Sequence, residues 1–121
     1  MRDVRPVVAQ LAALGRLPPE DSPVDWDDID HRKSLLHALA DEAPSIRDEV
    51  RELVGLFPPD DSECFELAWT LLHIIERSPS WPDWEALRTD RGWWGNYLAY
   101  RLQNAGASVP ADLVPRDTAE R

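Results

Sequence analysis

The chain has almost no cysteine. Cys64 is the only thiol in 121 residues, so no internal disulfide and no zinc cluster built on thiolates is possible. That absence fits a reducing compartment. Long apolar runs are missing too. None approaches the roughly 20 residues of a membrane-spanning helix. The opening MRDVRPVVAQLAALG is apolar on one face only and carries Asp3 and Arg5, which argues against a signal peptide. A cytoplasmic protein with no membrane partner is expected. β-Branched residues are few and no segment alternates cleanly, which argues against strands. There is no glycine-rich phosphate loop, no nucleophile motif and no thiolate-activating pattern around Cys64. These gaps leave little for catalysis, and neither an enzyme nor a cofactor is expected.

What the sequence has in excess is acid. The formal net charge is −10, and 23 carboxylates face 13 Lys and Arg. The excess sits early: residues 1–66 carry net −9 and residues 67–121 net −1. Such a chain repels phosphate backbones, so nucleic acid is not an expected partner. An acidic surface steers basic proteins instead.

Apolar spacing is helical almost throughout. Val4, Val7, Val8, Leu11 and Leu14 mark a first helix, which Gly15 caps and Pro18-Pro19 stop. Ser22-Pro23 reads as the start of a second, running from about 23 to 42 with Trp26, Ile29, Leu36, Leu39 and Ala43 on one face. Ser45 with Asp48 resembles a capping box opening a third, which carries Ile46, Val50, Leu53 and Val54 and ends at Gly55. A fourth is expected from Ser62 to about Arg77. Phe65, Leu67, Ala68, Trp69, Leu71, Leu72, Ile74 and Ile75 cover most of its circumference, the mark of a buried central helix. A short piece near 83–87 and a last helix near 90–105 follow, with Trp94, Tyr97, Leu98, Arg101 and Leu102 on one side. The expectation is one helical domain over 1–106, then an extended or frayed tail over 107–121.

The turn LPPEDS (17–22) returns as FPPDDS (57–62), each after a glycine, and SLLH (34–37) returns as TLLH (70–73). Gly106 with VPAD (109–112) reads as a faded third turn. Each unit is a helix, a Gly-Pro-Pro-acid turn and a second helix. One such hairpin cannot bury its apolar face alone, whereas stacked hairpins can. The period near forty resembles HEAT-like α-helical repeats. That resemblance implies an all-α fold of five to six short helices in stacked antiparallel hairpins, two units plus caps.

Candidate functional residues fall in three groups. EDSPVDWDDID (20–30) packs six acids into eleven residues around Trp26. Helix-start chemistry accounts for Glu20, Asp21 and Asp25, but less well for Asp28 and Asp30, which lie further in. A calcium loop would need a central glycine that is not there. Asp25, Asp27, Asp28 and Asp30 around Trp26, with Asp60 and Asp61 from the second turn, form a candidate face for a basic protein. Trp93, Trp94 and Tyr97 form a second candidate. Adjacent helical residues point about 100° apart, so Trp93 and Trp94 cannot share one core stripe. The third group is His37, His73 and Glu76, from which a small metal-dependent enzyme could be imagined. His37 and His73 hold equivalent repeat positions, but only one His sits on the fourth helix, and a mononuclear site normally needs three ligands.

In size and charge the chain is similar to the small acidic immunity proteins of bacterial toxin systems. That likeness implies a non-enzymatic inhibitor that covers a basic active site with carboxylates around an aromatic anchor. The alternative expectation is an adaptor or assembly subunit that binds another helical protein, or itself, through the Trp93/Trp94 region.

Overall fold

The computed structural model describes residues 4–19, 23–42, 44, 47–89 and 92–114. Its elements are α1 (Pro6–Leu14), α2 (Trp26–Asp41), α3 (Arg47–Val54), α4 (Leu67–Glu76), α5 (Trp84–Thr89), α6 (Trp93–Asn104) and a 3-10 turn at Ala111–Leu113. The fold is all-α, and no strand occurs among the described residues.

α1 packs on α2 and α3, α2 also on α4, and α3 on α4 and α5. The apolar stripes read from the sequence meet in one core: Val8 and Leu11 of α1, Ile29, Leu36 and Leu39 of α2, Val50, Leu53 and Val54 of α3. α4 buries six of its ten residues and touches neighbours on several sides, as its all-round apolar pattern requires. α6 joins through its rings. Trp94 stacks on Phe57 at 5.2 Å and meets Trp69 edge-on at 5.1 Å.

The helix ends are held by long-range charged side chains. The Arg5 N–H donates to Glu49 Oε2 at 2.8 Å, and its guanidinium grips the same carboxylate at 2.9 Å through both Nε and Nη2. Glu49 is only 2% exposed, so the start of α1 is tied to α3 by a buried charge that its partner satisfies. The buried Arg32 guanidinium closes the other end of α1. It donates to the carbonyls of Leu14, Gly15 and Arg16 at 2.8, 2.9 and 3.2 Å, and to Asp28 Oδ2 at 2.8 Å. Arg77 does the same for α2, donating to the carbonyls of Leu39 and Glu42. A cation at the carbonyl end of a helix also complements its dipole.

Several boundaries differ from expectation. α2 starts at Trp26, and its cap is Asp25, whose side chain accepts from the N–H groups of Asp27 and Asp28. The expected cap Ser22, the residues Glu20 and Asp21, and Ala43, Ser45 and Ile46 lie outside the described residues. α4 begins five residues later than Ser62, because Cys64, Phe65 and Glu66 take left-handed conformations with φ of 48°, 54° and 72°. Cys64 therefore precedes the helix and is fully buried in the core. α6 starts at Trp93 rather than near Asp90. Gly15 has positive φ (80°), as does Gly106 (90°), but Gly55 does not, so the two repeated turns use different glycine geometry. The tail expected to be extended or frayed over 107–121 has no regular structure over 107–110 but is packed on the fold: Leu113 is buried, Ala107 and Val109 lie against the core, and Asp112 pairs with Arg88 at 2.7 Å.

The two Pro-Pro turns stand side by side. Leu17 N–H donates to the Leu56 carbonyl at 2.8 Å, and Arg16 Nη1 to the Phe57 carbonyl at 3.0 Å. Leu17 and Phe57 hold the same place in the two turns, and both are buried. Further on, Leu36 and Leu72 are buried while His37 and His73 are exposed, so SLLH and TLLH present equivalent faces.

Candidate functional site

The site starts from two chain segments that carry acids and no Lys or Arg. The first runs through the opening of α2, the second through residues 58–66. The adjoining Pro-Pro turns bring them to one edge of the molecule. There the ring of Trp26 meets that of Phe65 at 4.9 Å, tilted by 49°. Trp26, which the spacing sets on the same face as Ile29 and Leu36 and which is also the aromatic centre of the candidate acidic face, does not join the core. It is 59% exposed, and Phe65 39%, which makes them two of the most exposed large apolar side chains among the described residues. The late start of α2 puts Trp26 at the first helical position, where its ring meets Phe65 rather than the core.

Phe65 is presented by unusual backbone. Left-handed geometry costs a non-glycine residue about 1–2 kcal/mol, and three residues adopt it in succession across 64–66. The turn buries Cys64 beneath it and turns Phe65 out. Strain of this kind persists only where the surroundings enforce it. Here Trp94 supports the segment from the core side: its indole N–H donates to the Ser62 carbonyl at 3.1 Å.

The acids of this edge divide by what they do. Asp25 caps α2, Asp28 holds Arg32, and Asp60 accepts the Ser62 N–H at 3.0 Å. The Ser62 hydroxyl first, and its amide second, hold the Asp60 carboxyl below the usual carboxylate range. Asp27, Asp30, Asp61, Glu63 and Glu66 are exposed and make no side-chain hydrogen bond or ion pair among the described residues. Neither Glu63 nor Glu66 belongs to the acidic face read from the sequence. The adjacency of the two turns that brings them here could have been inferred from the repeat.

The other candidates separate. Trp94 is only 1% exposed and is a core residue, so the Trp93/Trp94 pair is not an exposed patch. Half-buried Trp93 instead stacks on Tyr97 at 5.2 Å, and Tyr97 on Tyr100 at 6.2 Å, along one stripe of α6. Glu76 is held by Arg101 at 2.7 and 2.8 Å, while His37 and His73 face solvent. Among the described residues no three His, Cys, Asp or Glu side chains stand together as a metal site. None of the described helices is long and apolar enough to cross a membrane. Comparison with protein-family models, curated proteins and solved structures finds no match for this chain.

Proposed function

We propose that the chain is a non-enzymatic, cytoplasmic protein-binding module that covers a basic surface of another protein, in the manner of an acidic inhibitor or immunity protein. One observation carries the reading: an exposed aromatic pair, Trp26 and Phe65, joins two acidic segments whose Asp27, Asp30, Asp61, Glu63 and Glu66 have no cation partner among the described residues. Free like charges on adjoining elements oppose folding and favour a cationic partner. An apolar centre with a polar rim is the usual anatomy of an interface. The pairing of α1 with α2 and α3, and of α4 with α2 and α3, supports two stacked HEAT-like hairpins.

The test is a charge reversal that spares the fold. Asp28 is unsuitable because it holds Arg32. Asp27→Lys with Asp30→Lys changes only exposed carboxylates that have no partner among the described residues, so the urea midpoint should fall by no more than the loss of one first-turn acid, about 1 kcal/mol, implies. Affinity for the basic protein that co-purifies from the native source should fall about tenfold or more in low salt, with the difference shrinking in high salt. Equal affinity of the reversed and wild-type chains in low salt would reject this reading.

A second reading is an adaptor that docks a helix on the Trp93–Tyr97–Tyr100 stripe of α6. Its support is the stacked, half-buried ladder itself. Tyr100→Ala would then weaken partner binding while Asp27→Lys with Asp30→Lys would not.

A further inference from the structure

We propose that the Trp26–Phe65 pair is an arginine receptor: an arginine side chain of the basic partner lies on the two rings, flanked by the free carboxylates. This rests on the reading of the acidic edge above and names what that edge recognises. The rings are tilted by 49° with centroids 4.9 Å apart, and both remain substantially open to solvent. A cation above an indole face within about 6 Å of its centroid is attracted by the ring quadrupole. Guanidinium suits this position better than ammonium, because it is planar, more weakly hydrated and able to stack while its edge donates to carboxylates. Asp27 lies next to Trp26, Glu66 next to Phe65, and neither has a cation partner among the described residues. The protein makes the same kind of contact internally, where Arg101 lies 5.9 Å from the Tyr97 centroid while bonded to Glu76. Charge complementarity therefore selects a basic protein surface, and the rings select arginine on it.

The experiment compares a basic peptide carrying one arginine with the same peptide carrying lysine at that position, each titrated into the full chain at low salt. The arginine peptide should bind about two- to fivefold tighter, and the side-chain protons of its arginine should shift upfield in the NMR spectrum. Trp26→Ala should abolish the preference. Phe65→Gly should reduce it, and it relieves backbone strain rather than adding any. Asp27→Asn with Asp30→Asn should weaken both peptides alike. Equal wild-type affinity for the two peptides, or a preference that survives Trp26→Ala, would overturn the proposal. If both peptides bind equally and their binding falls with Asp27→Asn and Asp30→Asn, the acidic edge stands and the arginine receptor fails. If neither peptide binds, both fail. Self-association of the wild-type chain that Trp26→Ala removes would assign the rings to a second copy and overturn the assignment to a foreign protein.

Discussion

Replacing Arg32 with Met keeps most of its volume and removes the charge that closes α1. In the native chain this guanidinium, 6% exposed, satisfies the carbonyls of Leu14, Gly15 and Arg16 and the Asp28 carboxylate. The bond to the Arg16 carbonyl is the longest of the three at 3.2 Å, so its loss costs least. The Leu14 and Gly15 carbonyls are half-buried, and each unmade bond there costs about 1 kcal/mol. Stripping the half-buried Asp28 of its cation adds about another 1 kcal/mol. Relief from burying the guanidinium offsets part of the total, leaving a loss of about 2–3 kcal/mol. With a urea slope of about 1.5 kcal/mol per molar, the unfolding midpoint followed by tryptophan fluorescence should drop by about 1.3–2 M. Arg32→Lys should recover less than half of that, because one ammonium cannot span three carbonyls and a carboxylate. In a double-mutant cycle with Asp28→Ala, the coupling should be about 1 kcal/mol. A loss below about 0.5 kcal/mol for Arg32→Met would refute the claim that this residue fastens α1 to α2. So would full rescue by Lys.

Three further outcomes follow from the geometry. Trp94→Ala should destabilise by about 3–5 kcal/mol, since the ring is buried against Phe57 and Trp69. Trp94→Phe should lose less, including about 1 kcal/mol for the bond to Ser62, and calorimetric unfolding distinguishes the two. Glu66→Gly should stabilise the fold by about 0.5–1 kcal/mol, because Glu66 is exposed at φ 72°; a loss on chemical denaturation would count against strain at this turn. Because Asp60 is depressed by Ser62, its contribution is complete above the ordinary carboxylate range and disappears as pH falls through the lower folded value. An NMR titration should therefore show Asp60 still ionised at a pH where an aspartate in a short unstructured peptide is half protonated, and Ser62→Ala should move the Asp60 curve up toward that of the peptide.

The helical period made the core legible: Val8, Leu11, Ile29, Leu36, Leu39, Val50, Leu53 and the apolar band of α4 all lie where the spacing put them. The helix starts were less legible, for a physical reason. Ser22 and Asp25 are both good caps by residue type, and Ser62 is as good a cap as either. Nothing local says that residues 64–66 will turn left-handed, because that conformation is imposed by packing around Cys64 and Trp94. Glu49, Arg32 and Arg77 were equally hidden. Each binds a helix end 16 to 44 residues away, and no periodic pattern encodes such a bond.

The same argument sharpens the acidic face. By sequence, Asp25, Asp27, Asp28, Asp30, Asp60 and Asp61 form one candidate face, with Asp25 alone among them accounted for well as helix-start chemistry. The structure engages alternate members: Asp25 caps, Asp28 pairs and Asp60 closes its turn, while Asp27, Asp30 and Asp61 stay open to water. Structural need explains the first three without any partner. It explains Asp27 only in part, as a first-turn acid complementing the α2 dipole, and it does not explain Asp30 or Asp61, nor an exposed tryptophan set on an exposed phenylalanine between them. Substitutions at the two sets should therefore behave oppositely. Loss of Asp25 or Asp28 should lower stability and reduce binding only through it, whereas loss of Asp27, Asp30 or Asp61 should leave stability near wild type and act on association directly.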